Sequence, residues 1–578
     1  MMKQTFQNEI RDLINQSLEF WRTPGAAVAI VSQQETLLCE GFGVRDLDQR
    51  SPVTEQTLFP IASSSKAFTA MSVGLLVDAG EFSLDTPVRE ILPTFRMQDS
   101  LATERMTVRD LLTHRSGLPR HDLVWYGSHF TRQEIFDRLR YLEPTRDLRT
   151  DFQYQNIMYM VAGCLVEEVS GKSWESFVKE QIFEPLGMIS SNFSTVHTQT
   201  TDDHARPHEE KKGQLNQIPF FTADGEKDAV GPAGSIISCA TEMATWLKLH
   251  LSAGKLEDKQ FISSAALEEM HKPQMVMRNM PSWAERMGLE LGSYGLGWMM
   301  HAYKGHTLVH HGGHIDGFSI LVSFIPKSKI GVIVLSNLDY CFVPEVLTFS
   351  IYDKLLDLQP TDWNASFKPI HDEIKATADR KKEKSSSDRK PGTAPSHPLS
   401  AYLGHYENPA YGIISVNKSG EGLELVLNQK LTWPLEHYHY DTFEGFFAEF
   451  DLPIKATFIT DLRGNISKVA LPLQPETSDI IFERLPDPQY FDPAYLSRFT
   501  GVYDFLLKSL TILLKGNHLT ATMPGFPEYA LNHYQGMEFS LEGLPGYSIE
   551  FKADEKGKIM EAIYTQPGAV QVAKKRTS

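Results

Sequence analysis

Cysteine is scarce in this chain: 578 residues carry four, Cys39, Cys164, Cys239 and Cys341. They lie far apart, each in an apolar neighbourhood, which argues against a disulfide framework or a cysteine metal site and reads as buried free thiols in a reducing compartment. No apolar run is long enough to span a bilayer, and Met1 to Gln16 is polar and mixed in charge without an apolar core. Basic charge is also short. Lys and Arg number 56 against 73 Asp and Glu, a formal net charge of −17, so neither nucleic acid nor an anionic membrane is expected as a partner. A soluble, cytoplasmic protein is expected.

What is present is apolar content of 41%, over a length that exceeds one hydrophobic core; roughly two to four domains should result. Phe6 to Trp21 has helical spacing and stops at Thr23-Pro24-Gly25. Residues 26–31 and 35–44 read as a hairpin of two strands. Further along, Tyr294 to Trp298 begins a strand, and His306 to His311, Phe318 to Ile325 and Ile330 to Ser336 are successive apolar strands with a turn at Pro326 to Lys329. A closing helix, Val343 to Leu356, would pack beside the first. Between these strands lie a helical insertion over 121–153 expected to form a lid, a long amphipathic helix opened by Gln153-Tyr154-Gln155-Asn156 and running through Ser170-Gly171, helices from Trp174 to Phe183 and Thr241 to Leu251, and a tight loop at Gly231 to Ser235. The fold class expected is α+β: an antiparallel sheet flanked by helices, with an inserted helical subdomain, over residues 1–360.

From Thr361 the composition changes, and Asp372 to His397 is charged, Ser-rich and without periodicity, so 361–398 reads as a linker. Beyond it the sequence repeats. Tyr402-Leu403-Gly404-His405-Tyr406 matches Phe499-Thr500-Gly501-Val502-Tyr503, and Phe458-x-x-Asp461-x-x-Gly464-x-Ile466 matches Phe551-x-x-Asp554-x-x-Gly557-x-Ile559. Short alternating strands in both halves point to two all-β barrels, 399–486 and 490–578.

Within Phe59 to Ala70, Ser63 and Lys66 are three apart at the start of a helical pattern, nearly one turn, so a hydroxyl and an amine share a face. Ser-x-x-Lys recurs at Ser176, Ser252, Ser387 and Ser415, but only the first match opens a helix carrying an apolar stripe (Phe68, Met71, Leu75, Leu76) behind Gly and Pro punctuation. A serine–lysine site also needs a second proton-handling group, oxyanion donors and a group to hold the acyl chain. Tyr154-Gln155-Asn156 offers a phenol and a carboxamide at i and i+2. His311-Gly312-Gly313-His314 offers a strand edge where glycines let a substrate backbone approach.

With Ser63-x-x-Lys66, Tyr154-x-Asn156 and His311-x-Gly313 in that order, the chain resembles the serine β-lactamase/penicillin-binding-protein superfamily, in the branch of class C-like enzymes, D-aminopeptidases and esterases. The Gly317-Phe318 spacing selects His311 over His310, and residues 111–119, 232–234 and 294–298 are also family-like. The tail resembles the lipocalin-like domains appended to some members, where a barrel loop limits substrate size; Met523 to Pro527 is the candidate loop here. The resemblance implies Ser63 as acylated nucleophile, Lys66 as general base and Tyr154 as proton shuttle. It further implies Asn156, His311, Gly313 and His314 as substrate-binding residues, with the backbone N–H groups of Ser63 and His314 as oxyanion hole. His311 stands where true β-lactamases carry lysine, and so offers a weaker, pH-dependent charge for a substrate carboxylate. No metal or cofactor is expected. The substrate expected is a small peptide or amide, with D-residue specificity open; carboxylesterase, acyltransferase or peptide-cyclising thioesterase, and a non-catalytic ligand-binding protein are the alternatives. Whether the chain forms a homo-oligomer is left open.

Overall fold

Strand β1 (Gly25–Ser32) is made of small and β-branched residues and is buried on both faces. Its period of two sends Ala27, Ala29 and Val31 into one hydrophobic cluster and Ala26, Val28 and Ile30 into another on the opposite side. The computed structural model describes residues 2–211, 213–257, 259–278, 284, 288–447 and 452–576. Among them, β1 joins an eight-stranded antiparallel sheet with β2 (Thr36–Gly43), β3 (Met275–Val276), β4 (Leu289–Tyr294), β5 (Met299–Tyr303), β6 (His306–Ile315), β7 (Phe318–Ile325) and β8 (Ile330–Ser336), in the order β2-β1-β8-β7-β6-β5-β4-β3. Strands from both ends of the first 360 residues therefore meet as β1 and β8.

Helices α1 (Met2–Phe20) and α5 (Val343–Leu355) cover one face through Ile10, Ile14, Val346 and Leu347. The other face carries α2 (Lys66–Asp78), α3 (Asn156–Ser170) and α4 (Ala240–Leu251). Instead of the one-sided stripe expected, α2 is buried from Lys66 through Gly74 without a break, because the sheet lies on one side and the helical subdomain on the other. Phe68 stacks on Trp246 of α4 at 3.9 Å between ring centroids; burying such a ring stabilises by about 2 kcal/mol. A lysine at the start of so apolar a helix is therefore displaced from water on every side.

Two expectations need correction. Tyr294 to Trp298 does not begin a strand: β4 ends at Tyr294 and the next residues turn into β5. Gly297 takes a φ of 77°, and a Cβ there would meet Ala67 Cα at 2.8 Å, so the turn lies against the first turn of α2. Residues 363–387, read as linker, form a helix, α6 (Trp363–Ser387). Asp362 caps it by accepting from Ala365 N at 3.0 Å. Trp363, Phe367 and Ile370, at i, i+4 and i+7, are buried beside α5.

Past α6, residues 404–484 and 501–575 each form a closed eight-stranded antiparallel barrel. The sequence repeat has a structural counterpart. Tyr406 donates to Tyr402 O at 2.8 Å and Tyr503 to Phe499 O at 2.7 Å, while Asp461 and Asp554 each accept two backbone N–H bonds across a turn closed by Gly464 (φ 84°) or Gly557 (φ 76°). The first barrel is filled by Tyr402, Phe443 and Phe458 packed edge to face. Its core runs into the helical side of the N-terminal part as one cluster, whereas the second barrel keeps a core of its own. Among the described residues no helix is long and apolar enough to cross a membrane.

Candidate active site

Ser63 sits on a 3₁₀ turn, Ala62–Ser65, that runs directly into α2. Ala62 precedes it with a φ of 46°, a left-handed conformation costing a non-glycine residue roughly 1–2 kcal/mol. Strand β6 holds the turn in place. Its partner β5 stops at His310, and beyond that point Ser64 Oγ donates to His311 O at 3.1 Å. Gly313 lies so near that a Cβ would meet Ile61 O at 2.2 Å. Glycine at 313 is thus required for the Ser63 turn to approach the strand.

Lys66 is fully buried. Its Nζ lies 3.1 Å from Ser63 Oγ, 2.8 Å from Asn156 Oδ1 and 2.8 Å from Ala233 O. Ala233 belongs to a single helical turn, Gly231–Gly234, where a loop was expected. Burial pulls the lysine well below its ordinary value; the charge of Arg120 adds to this and that of Asp122 opposes it. A neutral amine has two hydrogens and one lone pair. Asn156 Oδ1 and Ala233 O can only accept, so they take both hydrogens, and the lone pair is left for the Ser63 hydroxyl. The orientation of Asn156 is fixed in turn, because its Nδ2 donates to the Asp122 carboxylate at 3.1 Å and a carboxylate cannot accept from the other end of the amide.

Tyr154 places its ring face 4.8 Å from Lys66 Nζ. Burial pushes its phenol up to about 12, with the Ser63 hydroxyl opposing, so it is a protonated donor near neutral pH. The intervening Gln155 anchors the segment: its N–H donates to His114 Nδ1 at 3.0 Å, its Nε2 to Pro119 O at 2.6 Å, and its Oε1 caps α3 through Ile157 N at 2.8 Å. Tyr154 and Asn156 therefore project from a short stretch held at both ends.

His311 differs from the expectation of a pH-dependent charge. It is buried, Nδ1–H faces Gly312 O at 2.7 Å, and Nε2 lies 3.0 Å from the Tyr294 hydroxyl. Burial takes the ring down to about 3. His311 is accordingly a neutral wall behind the serine turn. Replacing it with Gln should leave the pH at half-maximal acylation of Ser63 unmoved in a profile from about pH 5 to 8; a shift of about one unit would show a charge at this ring. His314, three residues further along the strand, places Nε2 3.2 Å from Asp339 Oδ1, and its ring lies tilted against that of Tyr340, centroids 3.9 Å apart.

The residues that sequence reasoning missed are Arg120 and Asp122, which pair with each other. The Arg120 guanidinium lies 5.2 Å over the Tyr154 ring, and Asp122 Oδ1 also accepts from Trp125 Nε1 at 2.9 Å. Their one sequence signal is two opposite charges set between Leu118 and Leu123. The candidate barrel loop, Met523 to Pro527, belongs to the second barrel, whose contacts run to the first through Tyr534, Asn465 and Asp461. It is the first barrel that meets the site region, where Tyr411 and Gln474 bond His121.

Comparison with known proteins bears on the family and the fold. The Beta-lactamase family model matches residues 10–347, and a domain of unknown function, DUF3471, matches 388–484. An unguisins hydrolase of Aspergillus campestris is 28% identical over 427 residues, covering 71% of this chain and 77% of that protein. Protein flp of Staphylococcus aureus is 24% identical over 345 residues, covering 59% and 65%. The octameric penicillin-binding protein homologue from Pyrococcus abyssi superposes with a TM-score of 0.54 at 24% identity, over 82% of this chain and 99% of that one, a likeness of fold. With the family model matching more than half of its length, the chain belongs to the Beta-lactamase family.

Proposed function

We propose that this protein is a serine peptidase or amidase that cleaves small peptides or amides through an acyl-enzyme on Ser63. One observation carries the reading: the buried Lys66 Nζ lies 2.8 Å from two acceptor-only oxygens, Asn156 Oδ1 and Ala233 O, and 3.1 Å from Ser63 Oγ, an arrangement in which a neutral amine gives both hydrogens to the first two and turns its lone pair to the hydroxyl. In the forward step Lys66 takes the Ser63 proton as Oγ attacks the carbonyl carbon. The developing oxyanion is met by the N–H groups of Ser63 and His314. Tyr154, a phenol titrating at about 12, passes a proton to the departing nitrogen, and Lys66 resupplies it. Water then attacks the acyl carbon, Lys66 again acting as base, and Ser63 is released.

An amide nitrogen must be protonated to leave, and the site holds a protonated phenol for that task, which favours an amidase over an esterase. The similarity to an unguisins hydrolase supports hydrolysis as the reaction. Antibiotic hydrolysis is disfavoured by the neutral His311. A panel of L- and D-aminoacyl anilides, acyl esters and β-lactams tests the reading: anilide turnover should lead, and turnover of β-lactams or esters alone would contradict it.

A further inference from the structure

We propose that the first barrel positions the catalytic lysine, through His121, with Tyr411 and Gln474 as positioning residues; this rests on the acyl-enzyme reading of Ser63 and Lys66. His121 is buried and holds a left-handed backbone, φ 47° and ψ 36°, a conformation a non-glycine residue keeps only where its surroundings over-determine it. They do so with three bonds. His121 N–H donates to Gln474 Oε1 at 2.8 Å, Nε2–H donates to Glu143 O at 2.9 Å, and Nδ1 is left to accept from the Tyr411 hydroxyl at 2.7 Å. Because a carbonyl oxygen only accepts, the tautomer is fixed, and with it the need for a donor at Tyr411. Two of the three partners come from the first barrel.

The residues on either side of His121 are the ones that reach the catalytic centre. Arg120 stands over Tyr154, and Asp122 fixes the amide of Asn156, which holds one hydrogen of Lys66. The sequence of contacts thus runs Tyr411, His121, Asp122, Asn156, Lys66, Ser63. Further contacts brace the same seam: Arg138 donates to Pro409 O at 2.6 Å, and Ser478 Oγ to Glu143 Oε2 at 3.1 Å. A barrel whose interior is filled by its own aromatic side chains serves here as a buttress and not as a ligand cup. If the clamp loosens, Asn156 is free to turn its amide and the lone pair of Lys66 loses its aim.

Tyr411→Phe removes one hydroxyl and keeps the ring, and Gln474→Leu removes the other partner. Either variant of the full chain should slow labelling of Ser63 by a fluorophosphonate roughly ten- to a hundredfold, as expected for a small misplacement of a catalytic group. The acid limb of the labelling profile should move, since Arg120 and Asp122 act on Lys66 with opposite sign, and amide exchange over residues 119–124 should quicken. Tyr406→Phe is the control. It deletes another buried hydroxyl of the same barrel, bonded to Tyr402 O, and should lower thermal stability without moving the limb or the exchange. Unchanged limb and exchange in Tyr411→Phe, or the same shift in Tyr406→Phe, would overturn the proposal. If wild-type Ser63 takes no label, the acyl-enzyme reading fails, and amide exchange alone then decides: faster exchange over 119–124 upholds the clamp and unchanged exchange refutes it.

Discussion

Replacing Lys66 with Met should slow acylation of Ser63 by about 10³-fold, the scale of a lost general base, while the folded chain still binds substrate. Met matches the length of the lysine stem and removes only the amine, so the groove around α2 stays filled. The same variant carries a stability signature. Lys66 has a folded value well below that of a free lysine, so between the two values the unfolded chain holds one proton more than the folded one. Stability of the wild type therefore rises with pH across that window, up to about 10.5, and the variant lacks this rise. The difference in unfolding free energy between the two should shift in favour of the wild type as pH increases. A difference that is flat with pH would mean that Lys66 keeps its proton in the fold and cannot be the base.

Tyr154→Phe should separate amides from esters. Cleavage of an amide should fall by roughly 10²- to 10³-fold, because its nitrogen leaves only when protonated, whereas an activated phenyl ester should lose about tenfold or less. Loss of the hydroxyl leaves Lys66 and Ser63 3.1 Å apart, so the first proton transfer survives. Equal losses on both substrates would remove Tyr154 from the leaving-group step and assign it to packing beside His114, whose ring lies 4.3 Å away. The phenol titrates at about 12, and no rate should be gained by ionising it near neutral pH.

The placement of Ser63 beside Lys66 was legible because its signals are local. Ser63 and Lys66 lie one helical turn apart, and Tyr154 and Asn156 flank one capping residue, so spacing alone sets their faces. The barrels were legible because the repeat preserves the residues that close turns, Asp461 with Gly464 and Asp554 with Gly557. Where contacts are long-range, the sequence was silent. Nothing beside Arg120 or Asp122 marks them as neighbours of Asn156, and the bonds from Tyr411 and Gln474 to His121 span 290 and 353 residues. His311 was misjudged for a related reason: its charge depends on burial, which its Gly-rich surroundings do not reveal. Helix α6 was missed because its apolar residues stop at Ile370 and Ile374, so the charged composition of its longer second half masked three well-spaced anchors.

The central claim is that Ser63 is the activated nucleophile, and the most direct test is mass spectrometry with peptide mapping after exposure of the folded chain to a fluorophosphonate. A single adduct on Ser63, absent in Ser63→Ala and slow to form in Lys66→Met, is the expected result. Folded protein that stays unlabelled, or that takes the label on Ser64 or Ser65 instead, would contradict it.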